Sequence, residues 1–328
     1  MKQIKIAFIG TGNIAYQHMN SLKSIPLAKI VGLYDLNRDI LTSRGSEFGV
    51  QTYSSIDQML DRSKPDAVYI CVPPYAHGTA ERTCIQRRIP FLVEKPLTND
   101  IHLAEQIAEE VEASGIITSA AYMNRYRQGV NMVKDLIKDN PISLISGAWL
   151  FNTPINHPWI TNKKLSGGQL LEQSTHLFDT IRYIGGEISE VHCYGSIGLI
   201  AQSDSNYDIE DSTVVSLKLK SGAVANIQSS WATSLDQFIY LNIFGPKIQA
   251  QFKNWDLDLE LKTTHKPEGV RIKSEDNIFV VENTAFLEAI NNDDSSKIKS
   301  NYQDGLASLQ ISIAALESLK IKKSIIIT

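Results

Sequence analysis

The sequence predicts an α/β fold with two domains: an N-terminal doubly wound parallel sheet and a C-terminal α+β domain on a mostly antiparallel sheet. Its 328 residues exceed what one hydrophobic core usually serves. From residue 4 to about residue 120, strand patterns alternate with helical patterns, which indicates a parallel sheet. Later strand patterns follow one another through turns, which indicates antiparallel pairing. We therefore expect domains at residues 1–122 and 123–328.

The first domain is predicted from short apolar runs, typical of strands buried on both faces of a sheet, with helical patterns between them. The predicted strands are Ile4 to Ile9, Lys29 to Tyr34, Ala67 to Val72, Phe91 to Val93 and Ile116 to Ser119. The predicted helices are Arg38 to Phe48, Ser55 to Asp61, Thr79 to Arg88 and Ile101 to Ala113. Asp100 and either Ser54 or Ser55 stand where helix N-caps are expected.

The second domain is predicted to combine a few helices with a run of strands. The predicted helices are Gly129 to Lys138, Gln169 to Ile184 and Gly305 to Leu319. The predicted strands are Ile142 to Leu150, Val191 to Gly195, Thr213 to Leu219, Val224 to Trp231, Phe238 to Phe244, Lys247 to Phe252 and Ser324 to Ile327. Turns containing glycine or proline join the middle strands, so we expect an antiparallel meander.

Charge and hydropathy argue against nucleic acid and membrane partners. The formal net charge is −4 at pH 7, and no run of five or more lysines and arginines occurs. The N-terminal Met1-Lys2-Gln3-Ile4-Lys5 leads into an apolar run too short and too charged for a signal peptide. No later segment approaches the roughly 18 apolar residues of a membrane span. We therefore expect a cytoplasmic protein.

The cysteines and potential metal ligands predict neither a disulfide framework nor a metal site. Cys71, Cys84 and Cys193 are odd in number and widely spaced, without a C-x-x-C pair. His176 and Asp179 have a spacing that two metal ligands can have, but no obvious third ligand accompanies them. We predict no metal.

A glycine-rich loop follows the first predicted strand. Gly10-Thr11-Gly12-Asn13-Ile14-Ala15 has the form G-x-G-x-x-A, which is typical of a dinucleotide-binding βαβ unit. Small residues let the backbone turn tightly and approach a pyrophosphate, and the next helix offers its N-terminal amides. We predict that Gly10, Gly12, Asn13 and Ile14 contact the cofactor. A plain strand-to-helix turn is the alternative.

Asp35 ends the second predicted strand, 20 residues beyond the glycine-rich loop, where ribose hydroxyls are expected. A carboxylate there repels the additional phosphate of NADP, so the sequence favours NAD. Arg38 follows three residues later and can pair with a 2′-phosphate, so NADP remains possible. The alternative role of Asp35, as a turn or capping residue, is compatible with ribose contact.

Two further polar segments follow predicted strands, at the sheet edge where ligands collect. Val72, Pro73 and His77 follow the third strand, and we predict that they contact the cofactor; local packing of His77 is the alternative. Glu94 and Lys95 follow the fourth strand, as further predicted cofactor contacts. Lys95 can also hold or protonate a substrate oxygen. A surface charge pair is the alternative for these two residues.

The helix predicted from Gln169 carries Glu172, His176, Asp179 and Tyr183 at spacings of four, three and four residues. These side chains fall on one stripe of the helix. A histidine oriented by a carboxylate one turn away is the arrangement of a general base acting near neutral pH. A solvent-exposed polar stripe is the alternative.

Taken in order, these motifs resemble those of the Gfo/Idh/MocA oxidoreductases, the family of glucose-fructose oxidoreductase and inositol dehydrogenase. The resemblance covers nearly the whole chain and implies a Rossmann domain beside an open-faced antiparallel sheet. It also implies a homodimer or homotetramer built through that sheet. Its motifs are the glycine-rich loop, Glu94-Lys95-Pro96, Tyr122-Met123-Asn124-Arg125-Tyr126, Gly167 through Asp179, Glu210-Asp211-Ser212 and Gly222-Ala223.

The resemblance also implies roles for individual residues. Lys95 corresponds to the active-site lysine and His176 to the catalytic histidine. Glu172 stands where the family often has an aspartate, and Pro74 stands where many members carry an asparagine. We count Glu172 as the third catalytic residue.

Substrate contacts are predicted for Arg125, Asp179 and Trp159. Trp159 lies in the segment Asn152 to Lys164, which also contains His157 and precedes the catalytic helix. It would stack on a sugar face; packing in a core or a dimer interface is the alternative.

The expected reaction is reversible oxidation of a secondary hydroxyl on a sugar, a cyclitol or one of their derivatives. His176 would take the hydroxyl proton while hydride passes to the nicotinamide, and Lys95 would stabilise the oxygen. One alternative is an NAD-dependent glycosidase that uses transient oxidation. Another is a non-catalytic nucleotide-sensing regulator, although a sensor needs neither Lys95 nor His176.

Overall fold

The computed structural model of the protein describes residues 3–152, 159–200, 207–233 and 237–327. The chain divides into two compact units. The first unit contains Met1–Met123 and Asp276–Leu306, and the second contains Asn124–Glu275 and Ala307–Thr328. The first segment thus ends next to the expected boundary at residue 122, but the chain later returns to the first unit, which the sequence prediction did not include.

The strands, in chain order, are β1 (Ile4–Ile9), β2 (Ala28–Tyr34), β3 (Ala67–Ile70), β4 (Phe91–Val93), β5 (Thr118–Ala120), β6 (Leu144–Leu150), β7 (Ile188–Ser196), β8 (Ser212–Leu219), β9 (Val224–Ser230), β10 (Phe238–Gly245), β11 (Ile248–Lys253), β12 (Asp258–Thr263), β13 (Lys266–Ile272) and β14 (Ile325–Ile326). The helices are α1 (Asn13–Leu22), α2 (Arg38–Phe48), α3 (Ile56–Ser63), α4 (Thr79–Gln86), α5 (Ile101–Ser114), α6 (Gln128–Leu136), α7 (Lys163–Ser166), α8 (Thr175–Gly185), α9 (Ile278–Asn292) and α10 (Tyr302–Ile321). Ser55 and Asp100 cap α3 and α5, as predicted.

The first unit is built on a five-stranded parallel sheet in the order β2-β1-β3-β4-β5. Its central strands are buried on both faces, which explains their continuous apolar sequences. The strand order reverses between β1 and β3, and such a switch point is where ligands of open α/β sheets bind. The predicted doubly wound parallel sheet is confirmed, and the loops after β1 to β4 all leave from its carboxyl edge.

Helix α9 belongs to the core of the first unit, although the sequence analysis did not predict it. Phe286 and Leu287 are fully buried with Phe8 and Met19 in one apolar cluster. The buried face of α9 also contains Glu282 and Asn283. These polar residues interrupt the apolar periodicity on which helix prediction depends.

The second unit contains a nine-stranded sheet in the order β13-β12-β11-β10-β6-β9-β8-β7-β14. The mostly antiparallel sheet is confirmed, but the expected simple meander is wrong. Strand β6 precedes both β9 and β10 in the chain but lies between them in the sheet. It runs parallel to β9. Strands β12 and β13, which the sequence analysis did not identify, extend one end of the sheet.

Helices pack on one face of this sheet, whereas the other face carries exposed apolar side chains. Helices α6, α8 and α10 contribute apolar side chains to the same buried cluster as the strands. On the other face, Val214, Val224 and Phe238 are exposed, since residues of a strand alternate between faces. The sheet therefore has one covered face and one face with exposed apolar side chains.

The three cysteines are free and buried, and burial raises the pKa of each thiol. They therefore do not supply a reactive thiolate near neutral pH. Within the described ranges, no three His, Cys, Asp or Glu side chains are grouped to hold a metal ion. Among the described residues, no helix combines the length and apolar character needed to cross a bilayer.

Candidate active site

The two glycines of the loop between β1 and α1 have different backbone conformations and surroundings. Gly10 has a φ of +86°, and a Cβ atom there would lie 2.3 Å from the carbonyl oxygen of Cys71, so the fold itself requires glycine. Gly12 has an ordinary φ of −67°, and a Cβ atom there would meet nothing within 4 Å. The space above Gly12, at the start of α1, is thus open for the close approach of a pyrophosphate.

This difference predicts distinct effects for two alanine substitutions. Gly10→Ala should destabilise the protein by more than the roughly 1–3 kcal/mol of an unfavourable backbone conformation, because the added Cβ atom also overlaps Cys71. Gly12→Ala should melt like the parent but bind NADH at least about tenfold more weakly, because its methyl group fills the space of the phosphates. Thermal melting and calorimetric titration with NADH measure both. Unchanged NADH affinity in Gly12→Ala would contradict the assignment of this loop.

Asp35 ties the end of β2 to the glycine-rich loop. One carboxylate oxygen accepts hydrogen bonds from the backbone N–H of Thr11 at 2.7 Å and from its hydroxyl at 3.0 Å. The other oxygen accepts from the N–H of Asn37 at 2.7 Å. A carboxylate has about four acceptor sites, so these three bonds leave capacity for a ribose hydroxyl. The turn role and the cofactor role of Asp35 are therefore compatible.

Arg38 is exposed at the start of α2 and lines a cavity of about 550 Å³. Arg62 lines the same cavity, and neither guanidinium forms an ion pair within the described part of the chain. The remaining lining residues are uncharged: Gln51, Thr52, Tyr53, Ser54 and Gln58. The cavity is therefore suited to an anionic group.

The ring of His77 contacts residues of its own chain segment. Its Nδ1 lies 2.6 Å from a carboxylate oxygen of Glu81, and its Nε2 lies 3.1 Å from the carbonyl oxygen of Val72. The second Glu81 oxygen accepts the N–H of Gly78 at 2.6 Å. Both ring nitrogens thus already have partners, which favours the local-packing interpretation. Val72 and Pro73 lie at the carboxyl edge of the sheet, where cofactor contact stays a prediction.

Glu94 is buried, so its interpretation as part of a surface charge pair is wrong. One of its oxygens lies 2.9 Å from Nε2 of His18, and the other accepts the N–H of Lys95 at 3.1 Å. Nδ1 of His18 lies 2.9 Å from the side-chain oxygen of Asn283. This chain of contacts joins α9, α1 and the end of β4, and it fixes the backbone from which Lys95 projects.

Lys95 is half-buried and lies directly after β4, on the same sheet edge as the glycine-rich loop and Asp35. The peptide bond between Lys95 and Pro96 is cis. No sequence motif predicted the role of His18 and Asn283, which support this region. The one available signal was a histidine on the buried face of α1, next to Met19.

In the second unit, the predicted helix from Gln169 is divided into a π-helical segment, Leu170–Ser174, and α8. Such π segments occur frequently at functional sites. His176 lies in the first turn of α8 and is 5% exposed, so the alternative of a solvent-exposed stripe is wrong. Its ring stacks on Trp149 of β6, with centroids 5.6 Å apart and planes inclined by 21°. Glu172 is half-buried on the π-helical segment.

Arg125 and Asp179 form a buried ion pair. Nε of Arg125 donates to both carboxylate oxygens of Asp179, at 3.1 and 3.0 Å, and one terminal nitrogen donates at 2.8 Å. The hydroxyl of Ser308 donates to the same carboxylate at 2.7 Å and accepts from Arg182 at 2.9 Å. These contacts favour a structural role for both residues, and their predicted contact with substrate stays untested.

Two models of protein families match the sequence and show which family the chain belongs to. A family model described as the oxidoreductase family with an NAD-binding Rossmann fold matches residues 4–122. A model of the GFO/IDH/MocA C-terminal domain matches residues 133–251. The chain belongs to the Gfo/Idh/MocA oxidoreductase family. Both parts of the match agree with the order of motifs along the chain.

Similar proteins include dehydrogenases of this family. Myo-inositol 2-dehydrogenase of Thermotoga maritima is 26% identical over 74% of this chain and 73% of its own length. The scyllo-inositol 2-dehydrogenase (NAD(+)) of Bacillus subtilis is 26% identical over 74% of this chain and 72% of its own. Levoglucosan dehydrogenase in complex with NADH has the same fold, with a TM-score of 0.88 and 19% identity over 100% of both chains.

These comparisons confirm three predictions: the Gfo/Idh/MocA family, the α/β fold class and a nicotinamide-dependent dehydrogenase. The chain is an NAD-binding oxidoreductase of that family. The roles of Lys95, Glu172 and His176 remain predictions.

Trp159 and its surroundings are only partly described in this Gfo/Idh/MocA chain. The residue is half-buried in a turn, and its carbonyl oxygen accepts the N–H of Asn162 at 3.4 Å. His157 lies outside the described residues. Stacking of Trp159 on substrate therefore stays a prediction.

Proposed function

We infer that this oxidoreductase reversibly oxidises a secondary hydroxyl group of a sugar, a cyclitol or one of their derivatives. The observation that carries this proposal is His176, a buried imidazole stacked on Trp149 where a π-helical segment joins α8. A histidine is the side chain best suited to exchanging a proton with an alcohol near neutral pH. The inositol dehydrogenases among the relatives support a polyhydroxylated ring as the substrate.

The chain supplies proton transfer and charge stabilisation in this mechanism. His176 accepts the hydroxyl proton as the carbinol C–H bond breaks, and it returns the proton in the reverse direction. The ammonium group of Lys95 donates to the reacting oxygen and stabilises its developing negative charge. NAD, when bound, supplies the hydride acceptor. Glu172 orients His176 or balances its charge.

NAD is the proposed cofactor. The open space above Gly12 fits a pyrophosphate, and Asp35 has acceptor capacity for a ribose hydroxyl. The carboxylate of Asp35 disfavours a 2′-phosphate, whereas the cavity with Arg38 and Arg62 favours one. We propose that Asp35 dominates, because its carboxylate is fixed by three hydrogen bonds at the end of β2, whereas the side chain of Arg38 is exposed.

We also propose a homodimer or homotetramer formed through the exposed face of the large sheet. Val214, Val224 and Phe238 are exposed on this face, together with Leu144. Their alternation with buried residues places them on one side of the sheet. Exposed apolar side chains grouped on one face are typical of protein interfaces.

The reaction is tested by absorbance at 340 nm with NAD, and separately with NADP, across inositols, free sugars, glycosides and nucleotide sugars. We expect net formation of NADH with at least one polyol, at a lower KM for NAD than for NADP. Glycoside cleavage with retained NAD and no net absorbance change would instead establish the glycosidase alternative. Cofactor binding without either reaction would contradict the proposal.

A further inference from the structure

An exposed tryptophan lies close to the aromatic pair formed by His176 and Trp149. Trp255 is 42% exposed in the turn between β11 and β12. Its ring meets that of Trp149 edge to face, with centroids 5.7 Å apart. Trp149 is buried and stacks on His176. The three rings thus form a continuous aromatic series that runs from the buried imidazole to the surface of the second unit.

The turn that presents Trp255 is held in an unfavourable backbone conformation. The flanking residues Asn254 and Leu257 have φ angles of +63° and +52°. Asparagine tolerates the left-handed region, but a bulky residue such as leucine rarely adopts it. A non-glycine residue in this region costs roughly 1–3 kcal/mol and persists only where the surroundings enforce it.

The buried guanidinium of Arg127 enforces this turn. One terminal nitrogen donates to the carbonyl oxygen of Trp255 at 3.0 Å. The other donates to the hydroxyl of Ser274 at 3.1 Å and contacts Asp256 at 3.5 Å. Burial lowers the pKa of Arg127, in keeping with the cost of removing a charge from water. Nε of Arg127 also donates to the side-chain oxygen of Asn124 at 3.0 Å, so the guanidinium links this turn to the segment that precedes α6.

We propose that Trp255 is a specificity-determining residue whose indole face stacks on the apolar C–H face of the substrate ring, with Arg127 as its positioning residue. This inference rests on the proposed function, because it assigns the ring-binding part of the same site. Tryptophan offers a large, rigid apolar surface at low entropic cost. A pyranose or cyclitol ring presents such a face, whereas its hydroxyl groups point outward.

The test compares Trp255→Ala, Trp255→Phe and Ile321→Ala in steady-state kinetics on the polyol that the parent oxidises. Trp255→Ala should raise KM about 10- to 100-fold and leave kcat within about threefold, because ground-state and transition-state binding are lost together. Trp255→Phe should recover most of the affinity. Ile321→Ala removes an exposed apolar side chain at the C-terminal end of α10, outside the proposed oligomer face, and should leave KM unchanged.

Arg127→Lys retains the positive charge but loses the planar fork, so it should raise KM less than Trp255→Ala does, with kcat retained. In the double variant Arg127→Lys/Trp255→Ala, KM should be no higher than in Trp255→Ala alone, because Arg127 acts through the tryptophan. Normal turnover with unchanged KM in Trp255→Ala would overturn this inference alone. A loss of kcat in place of KM would also overturn it. If the parent oxidises no polyol, and calorimetric titration in the presence of NADH detects no binding of a polyol, both proposals fail.

Discussion

Lys95→Met and His176→Asn are each expected to lower kcat by about 10²- to 10⁴-fold, the usual contribution of positioned proton-transfer and charge-stabilising groups. Affinity for NADH should change far less than kcat, because the phosphates and the ribose are assigned to the glycine-rich loop and Asp35. The double variant should be much less impaired than the product of the two single effects, because both residues are proposed to act on the same substrate oxygen.

Stopped-flow and steady-state absorbance at 340 nm measure kcat, and titration with NADH measures cofactor affinity. Lys29→Met, an exposed lysine at the other end of a strand of the same sheet, serves as the control and should keep full activity. Nearly full turnover by Lys95→Met on the true substrate would show that its proposed role is wrong.

Asp179→Ala is expected to destabilise the second unit by about 3–5 kcal/mol, because it leaves the guanidinium of Arg125 buried without its carboxylate partner. The double variant Arg125→Met/Asp179→Leu should regain most of this stability, since apolar residues of similar volume replace a buried ion pair at little cost. Ser308→Ala removes one hydrogen bond from Asp179 and should cost only about 1 kcal/mol.

Urea denaturation followed by circular dichroism measures these differences, with separate transitions fitted if the two units unfold independently. Parent-like stability of Asp179→Ala combined with a raised KM would favour the original expectation of a substrate contact. The stability measurement therefore separates the structural role of this residue from a role in binding.

The sequence predicted the strands of the first unit well, although it did not predict helix α9. The bounds of β1, β4 and α2 agree residue for residue, because strands buried on both faces give continuous apolar runs and caps mark the helices. The second sheet was harder, because alternating strands show which residues face the core but not which strands are neighbours. Only the pairing of β6 with both β9 and β10 reveals the order.

The candidate site shows the same limit. Local motifs predicted roles for Gly12, Lys95 and His176, because the chemistry proposed for them depends on spacings within one loop or helix turn. The contact between His18 and Asn283 joins residues 265 positions apart and has no local signal. The stacking of His176 on Trp149 depends on the position of β6 in the sheet, which only the folded chain shows.

The return of the chain to the first unit has a consequence for biosynthesis. Phe286 and Leu287 complete the apolar core of the parallel sheet, and Asn283 contacts the histidine that holds the strand end before Lys95. A ribosome delivers these residues only after nearly all of the second unit has been made. We therefore expect the first unit to complete its core only after most of the second unit has been synthesised, whereas N-terminal domains usually fold first during translation.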